Sequence, residues 1–500
     1  MDMNIVNMIM NTHSQENPAA MSLLAEEQNE KKMRRDFHRR RRLSCLASVN
    51  IPDDLLENIF SFLPIRQAVR MGVVSPRFRY SWRFSRKLHF EQGNTRRTVL
   101  IRVIDRVFRL HRGPIIKSLR LSFIPTGVEA CIHRWIEKAA EKKLEELDLD
   151  FGEAAEAYRL PPGFYNIQTI KVVKLHYCEV DHSPTLKGLT LLTTLILKKT
   201  IHVTTRFIEI IFENCMSLEY LDMTQCYGIR QMRIHAENHK RFRVLKIGDC
   251  LDIAELMVYA PTLRTFHYSG TLIEFDFWHV AQLREALVNL QPSKRFTPYS
   301  LLGRLLHDLV HVNVLSFTGT FLEGLCSREI KEGSSGTFDE MQLSLWQLKE
   351  LQVFMEGANF CNVYDIACFL NNCPLLEKLF IDLHEFSFEC GYFWEAHHRE
   401  LLEKRKHSFE KLSFIKIKGF KYHEYEIELV KYLLKSAINL QKLVLVTPND
   451  KRTKIYETDV VLYDSIMWCW KASPRAQIKV YKHFNERCYA DPKHPRKTWF

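Results

Sequence analysis

One hydrophobic spacing, apolar-x-x-apolar-x-apolar, recurs at least twelve times between residues 116 and 448. It runs through Ile116-Leu119-Leu121, Leu144-Leu147-Leu149, Ile170-Val173-Leu175, Leu192-Leu195-Leu197, Leu218-Leu221-Met223, Phe242-Leu245-Ile247 and Leu263-Phe266-Tyr268. After a gap it resumes at Val312-Leu315-Phe317, Leu348-Leu351-Val353, Leu376-Leu379-Ile381, Leu412-Ile415-Ile417 and Leu440-Leu443-Leu445, with a weak copy at Leu283-Ala286-Val288. The last two apolar residues of each copy alternate with a single residue, the period of a short strand with one buried face. One such triplet arises by chance. A dozen, mostly at steps of 21 to 36 residues, constrain the chain to a stack of similar units, each covering its neighbour's apolar face.

Between copies, 204–215 (Ile208, Ile211, Phe212), 363–373 (Ile366, Phe369, Leu370) and 426–437 (Val430, Leu433, Leu434) carry helical periodicity. Several of the intervening helices are expected to end in a small or sulfur residue three places before the next copy, at Cys215, Ala260, Cys373 and Ala437. Three copies extend to a cysteine, Cys178, Cys226 and Cys250, whose small side chain suits the turn leaving the strand. One strand and one helix per about 26 residues predicts an α/β class, a parallel β/α solenoid; the competing reading is a doubly wound α/β domain. The sequence here resembles leucine-rich repeats of the longer, ribonuclease-inhibitor-like type, which implies a horseshoe.

In that register the residues between the buried strand positions line the concave face. They include Ser118, Arg120, Glu146, Asp148, Asp150, Lys174, His176, Tyr220, Asp222, Lys246, His267, Phe380, Asp382, Phe414, Lys416, Lys418 and Lys442. The face is acidic early and basic and aromatic late, unlike a uniform phosphate-binding stripe. Asp148, Asp150, Tyr220, Asp222, His267, Phe380, Phe414 and Lys416 are the candidates for contacting a protein cargo. Two stretches break the period: 289–304, and the Gly/Ser-rich, charged 328–341, which reads as a surface loop.

Residues 51–82 read differently. Ile51-Pro52-Asp53-Asp54 suits a helix start, since Pro is tolerated in the first turn and acids favour the N-terminal dipole. Leu55, Leu56, Ile59, Phe60 and Leu63 then follow at helical spacing, and Pro64 stops the helix. A second helix is expected over 65–73, and Ser75-Pro76 starts a third holding Phe78 and Trp82. Three helices in about forty residues make too small a core to be comfortably stable alone, so burial by a partner is expected.

This segment resembles an F-box: hydrophobic-Pro-Asp-acid-Leu-Leu, a central Leu-Pro, then Ser-x-Arg-aromatic and Trp. With the repeats it resembles the plant F-box/leucine-rich-repeat family, including its FBD-type members; 472–484 is similar to the small-residue, then strand ending of that group. The resemblance implies a non-catalytic substrate-recognition subunit of an SCF-type ubiquitin ligase, binding a Skp-type adaptor and through it a cullin, with the repeats holding a protein to be ubiquitinated. By motif match the adaptor contacts are Pro52, Leu55, Leu56, Ile59, Leu63, Pro64, Val74, Ser75, Arg77 and Trp82. Phe78 stands where family members commonly have Trp, keeping the aromatic packing without the indole donor. Pro76 replaces a usual polar residue.

The organisation is then a basic, disordered arm (1–47), an F-box (48–90), a connector (91–115), the solenoid (116–448) and a C-terminal capping segment (449–500). The net charge of +12 is concentrated: residues 31–42 hold eight Lys or Arg against one Asp, and 66–120 hold fifteen against Glu91 and Asp105. Such zones suit an acidic protein partner or nucleic acid, and 31–42 also resembles a bipartite nuclear localisation signal. Thirteen cysteines without CxxC pairs argue for a reducing compartment. No apolar stretch approaches the roughly 18 residues needed to span a bilayer. Nucleus and cytoplasm are the expected locations.

No P-loop, GxSxG, HExxH or helix-opening GxGxxG is present, so neither catalysis nor a cofactor is expected. His176, Cys178 and His182 are better read as repeat and face positions than as metal ligands. The cluster His494-Pro495-Arg496-Lys497 carries no assignment by itself. The rival reading is a non-ligase repeat scaffold, associated with nucleic acid through its basic N-terminal region. A small-molecule co-receptor would need a pocket near Phe380, Phe414, Lys416 and Lys418.

Overall fold

The computed structural model describes residues 52–74, 78–181, 184–292, 299–326, 344–358, 361–384, 386, 388, 408–448, 469–482 and 492–494. The arm at 31–42 and the loop at 328–341 lie outside them. The chain packs as two units, residues 1–218 and 219–500.

Among the described residues the N-terminal unit begins with α1 (Asp53–Ser61) and α2 (Ile65–Val74), separated at Pro64, and the expected third helix shows a 3-10 turn at Ser81–Phe84, its start at 75–77 lying outside the described residues. Phe60, Ile65, Ala68, Val69 and Trp82 are buried, and the Phe78 ring lies 5.1 Å from Phe60. β1 (Lys87–Glu91) then pairs in parallel with β2 (Ser118–Ser122), Leu88 beside Leu119, one strand before the first spaced triplet. α3 (Arg97–Leu110) and α4 (Glu129–Glu141) follow β1 and β2; they bury Leu100, Val103, Ile104, Val107 and Phe108, and Ile132, Trp135, Ile136 and Ala139. That i, i+3, i+4, i+7 spacing gives each helix one apolar stripe and leaves Arg102 and Arg109 exposed. β3 (Glu146–Asp150), β5 (Val172–His176) and β7 (Thr194–Lys198) extend the parallel sheet in order, while β4 (Tyr158–Arg159) and β6 (Cys178–Glu179) form a separate ladder. α5 (Thr205–Asn214) is capped by the Thr204 hydroxyl, which accepts from the Phe207 N–H at 3.1 Å.

The helical module is tied to the first repeat by polar contacts. Ser85 Oγ donates to the Leu63 carbonyl at 2.6 Å, and the Arg86 N–H donates to Ser61 O at 2.9 Å. The buried His111 lies with Nε2 2.9 Å from Ser85 O and Nδ1 3.0 Å from Lys142 Nζ. A carbonyl only accepts and an ammonium only donates, so the ring is the neutral Nε2–H tautomer. Burial holds its pKa down at about 4. The folded chain therefore refuses a proton that the unfolded chain takes from about pH 6.5 downward. Stability from this residue is present above that pH and is lost as pH falls toward 4, by up to about 3 kcal/mol. Denaturant titrations across this range are expected to show His111→Gln with a flatter loss than the native chain; parallel curves would refute the assignment.

The C-terminal unit carries ten parallel strands in sequence order: β8 (Tyr220–Thr224), β10 (Val244–Gly248), β12 (Thr265–Gly270), β14 (Glu285–Leu290), β15 (Val314–Thr318), β16 (Glu350–Phe354), β17 (Lys378–Asp382), β18 (Phe414–Lys418), β19 (Lys442–Thr447) and β20 (Gln477–Lys482). The weak triplet at Leu283-Ala286-Val288 is thus a true repeat. The apolar pairs stack in register: Leu221, Leu245, Phe266, Ala286, Leu315, Leu351, Leu379, Ile415 and Leu443 are all buried.

The expectation of one helix per repeat fails at β8 to β14. There the connections hold β9 (Gln231–His235), β11 (Glu255–Tyr259) and β13 (Glu274–Trp278), a second parallel sheet, so Ala260 follows a strand and not a helix. Steps of 24, 21 and 20 residues between these strands leave too little chain for a helix and its two loops. Met232 and Ile234, Leu256 and Val258, and Phe275 and Phe277 alternate inward instead. Where steps lengthen, helices return as α6 (Tyr299–Asp308), α7 (Gly319–Cys326), α8 (Val363–Asn371) and α9 (Glu424–Ser436). α6 also occupies the end of the period-breaking stretch 289–304. The turn cysteines sit as expected: Cys178, Cys226 and Cys250 are buried, each just after a residue at positive φ (Tyr177, Gln225, Asp249).

Candidate docking surfaces

The N-terminal unit carries an exposed helical face, and each unit carries a repeat face. On α1 and its C-cap, Leu55, Ile59 and Phe62 are 54%, 53% and 59% exposed, and Pro52 at its N-cap is also exposed. Positions 52, 55, 59 and 62 fall on one face of a helix. Val73 and Tyr80 add exposed apolar surface. So many large exposed apolar side chains in so small a module form a contiguous patch, the kind of surface on which interaction sites are sought. Arg66 and Arg70 of α2 are exposed as well, and the Arg86 guanidinium lies 5.1 Å from the Phe62 ring centroid.

The motif residues therefore divide. Pro52, Leu55 and Ile59 are open, while Leu63 and Pro64 are partly covered. Trp82 is buried, so it supports the module from within and presents no contact surface of its own. The side chains of Leu56 and Val74, and residues Ser75 and Arg77, lie outside the described residues. Phe62 was not among the expected contacts. Phe62 follows Ile59, Leu55 and Pro52 by 3, 7 and 10 positions, a helical spacing present in the sequence, whereas the Leu-Pro motif carries only its neighbour Leu63.

The repeat faces are built from the residues between the buried strand positions. In the N-terminal unit His89, Arg120, Asp148 and Lys174 lie in one register row. Arg120 Nε is 3.6 Å from Asp148, Lys174 Nζ is 2.9 Å from Glu146, and His176 Nδ1 is 2.7 Å from Asp150. Burial raises the Asp148 pKa despite Arg120, whereas Glu146 is lowered by its bond from Lys174 against the opposing effect of burial. Charges of both signs neutralise one another, and no net-basic stripe results. His176 is held by Asp150, and Cys178 faces inward; His182 lies outside the described residues.

In the C-terminal unit the central row is Asp222, Lys246, His267, Leu287, Ser316, Gln352, Phe380, Lys416 and Val444. Tyr220 Oη donates to Asp222 at 3.0 Å, and Tyr220 and Phe414 are partly exposed. His267, Phe380 and Lys416, three of the expected cargo contacts, are instead buried, as are Leu287, Ser316, Gln352 and Val444. Alternation along a strand places a side chain on one face without fixing whether that face is covered.

Residues 107–483 match the family described as At1g61320/AtMIF1, LRR domain, and residues 49–90 match the F-box domain. The chain belongs to the F-box/leucine-rich-repeat family. Two FBD-associated F-box proteins of Arabidopsis thaliana, At1g61330 and At1g61320, are each 32% identical to it; the matches cover 82% and 83% of this chain and 93% and 91% of theirs. The F-box/FBD/LRR-repeat protein At1g13570 of the same plant is 24% identical over 86% of this chain and 97% of its own. The exposed α1 stripe thus belongs to an F-box, and the strand faces belong to leucine-rich repeats.

Proposed function

We propose that this F-box/leucine-rich-repeat protein is the substrate-recognition subunit of an SCF-type ubiquitin ligase, working in the nucleus or cytoplasm. The observation that carries the reading is the apolar stripe of Pro52, Leu55, Ile59 and Phe62, exposed on a module with little core of its own. Burying it against a Skp-type adaptor would remove that surface from water, contributing roughly 1.5–3 kcal/mol per large side chain. The exposed arginines of α2 suit an acidic adaptor. Polar ties around Ser85 and His111 fix the F-box against the first repeats, so an adaptor held at α1 is presented in a defined orientation to whatever the neighbouring repeats hold. The protein's part is positioning, with the transfer chemistry supplied by other subunits.

The test is a calorimetric titration of the purified full chain with a Skp-type adaptor. Stoichiometric binding is the expected result. A folded chain that does not bind would refute the reading and favour a repeat scaffold.

A further inference from the structure

The burial of His267 and Ser316 has a visible cause. Residues 492–494, from the far end of the chain, lie on the sheet face across β12 to β16. The His494 ring packs edge-on against His267 with centroids 4.8 Å apart. Its Nδ1 is 2.8 Å from Ser316 Oγ, and Ser316 Oγ donates to Gln352 Oε1 at 3.1 Å. With its own proton directed to Gln352, the Ser316 oxygen accepts from His494 Nδ1–H. Nε2 then faces Glu285, 3.8 Å from Oε2. Lys493 completes the contact: its Nζ is 3.1 Å from Glu285 Oε1, and its backbone N–H donates to Glu350 Oε1 at 2.6 Å. Glu285 faces both side chains at once, pairing with Lys493 and, when the imidazole carries a second proton on Nε2, with His494 as well; these partners pull its pKa down to about 2. His494 is almost fully buried, Ser316 is completely so, and Pro492 is buried beside them.

This is a built seat. An imidazole donor is read by the hydroxyl of Ser316, a lysine by Glu285, and the backbone between them by Glu350. It lies on the face where repeat proteins of this architecture offer an extended binding surface. Extended peptides are commonly recognised in this divided way, the main chain giving affinity and side-chain pockets giving specificity.

We infer that the β12–β16 face is the cargo seat of this receptor, selecting a Lys-His segment of a partner protein, and that the chain's own Lys493-His494 occupies it in cis until cargo displaces it. The inference rests on the receptor reading above. A tethered segment competes at an effective concentration in the millimolar range, so cargo binds well only where it matches or outbids the tail.

The experiment uses the full chain carrying K493A/H494A, which empties the seat, and a labelled peptide of residues 489–498 followed by fluorescence anisotropy. The emptied chain is expected to bind the peptide about tenfold or more tightly than the native chain. Adding Glu285→Gln to the emptied chain should abolish binding, while Asp148→Asn in the other unit should not. A peptide with both Lys493 and His494 replaced by Ala should not bind. Equal binding to native and emptied chains, no binding to the emptied chain, or indifference to Glu285→Gln would each overturn the inference. A second readout is Glu285→Gln in the otherwise native chain, which is expected to speed tryptic cleavage after Lys493 by about tenfold as the contact is lost; an unchanged rate would count against the seat. Adaptor titration of the same preparations separates the two ideas. Adaptor binding without peptide binding refutes the seat alone, and the converse refutes the receptor reading alone.

Discussion

Trp135→Ala is expected to lower the stability of the N-terminal unit by about 3–5 kcal/mol, the usual cost of truncating a large buried aromatic. Trp135 has no exposed surface and is the largest fully buried side chain described. It stacks on Phe108 at 6.3 Å between centroids, nearly parallel, and meets Phe123 edge-on at the same distance. It thereby fills the space between α3, α4 and the β2 strand end. Its indole N–H also donates to Asp105 Oδ1 at 2.9 Å, a bond that, with those from Arg134, holds the Asp105 pKa below its ordinary value against the opposing effect of burial. Removing the ring therefore opens a cavity and takes a donor from a carboxylate. At roughly 2–4 °C per kcal/mol for a unit of this size, the first melting transition should fall by about 10 °C. Trp346→Ala is the control. That side chain is 62% exposed, and its loss is expected to stay within about 0.5 kcal/mol. Similar effects from the two substitutions would contradict the packing described.

The difference between these tryptophans shows what a repeat sequence conveys. Every spaced triplet became a strand, including the weak copy at Leu283, because a buried position in a stack is enforced from two sides by its neighbours in register. Leu221 sits on Leu245 and Leu245 on Phe266, so the apolar spacing is nearly the structure itself. The outer layer lacks that constraint. Whether a connection becomes a helix or a strand depends on its length as much as its pattern, which is why Met232-Ile234 and its counterparts formed a second sheet where helices were expected. β1 departs from the apolar spacing because its apolar pair, Leu88 and Phe90, follows the buried Ser85 where the other repeats have an apolar residue. Ser85 takes that place by spending its hydroxyl on the Leu63 carbonyl.

The candidate docking surfaces were legible in a different measure. The F-box stripe followed from helical spacing and motif, apart from Phe62. On the repeat face, alternation assigned His267, Phe380 and Lys416 to the correct side of the sheet and left their burial unforeseen. For His267 the cover comes from residues more than two hundred positions away. A contact of that separation has no periodic signature, and the short basic cluster at 494–497 gave no hint of a buried histidine.

Leu55→Ala/Ile59→Ala is expected to weaken adaptor binding by about 3–5 kcal/mol, or roughly a hundredfold to several thousandfold. Both side chains are more than half exposed, so the free protein loses little packing when they are shortened, and its melting temperature should hardly move. A binding loss of that size without a stability loss requires that the surface be buried only in the complex, as for a central anchor in an interface. Phe60→Ala supplies the contrast. It is buried against Phe78 within the module, and its truncation should destabilise the F-box itself by about 3–5 kcal/mol, reducing adaptor binding only as far as the module unfolds. Phe62→Ala should behave like the double variant, with a smaller effect of about 1–3 kcal/mol, because it lies at the end of the stripe. Full adaptor affinity in the Leu55→Ala/Ile59→Ala protein would mean that the stripe is not the docking surface. The exposed arginines of α2 would then be the next surface to test, through the salt dependence of the association rate.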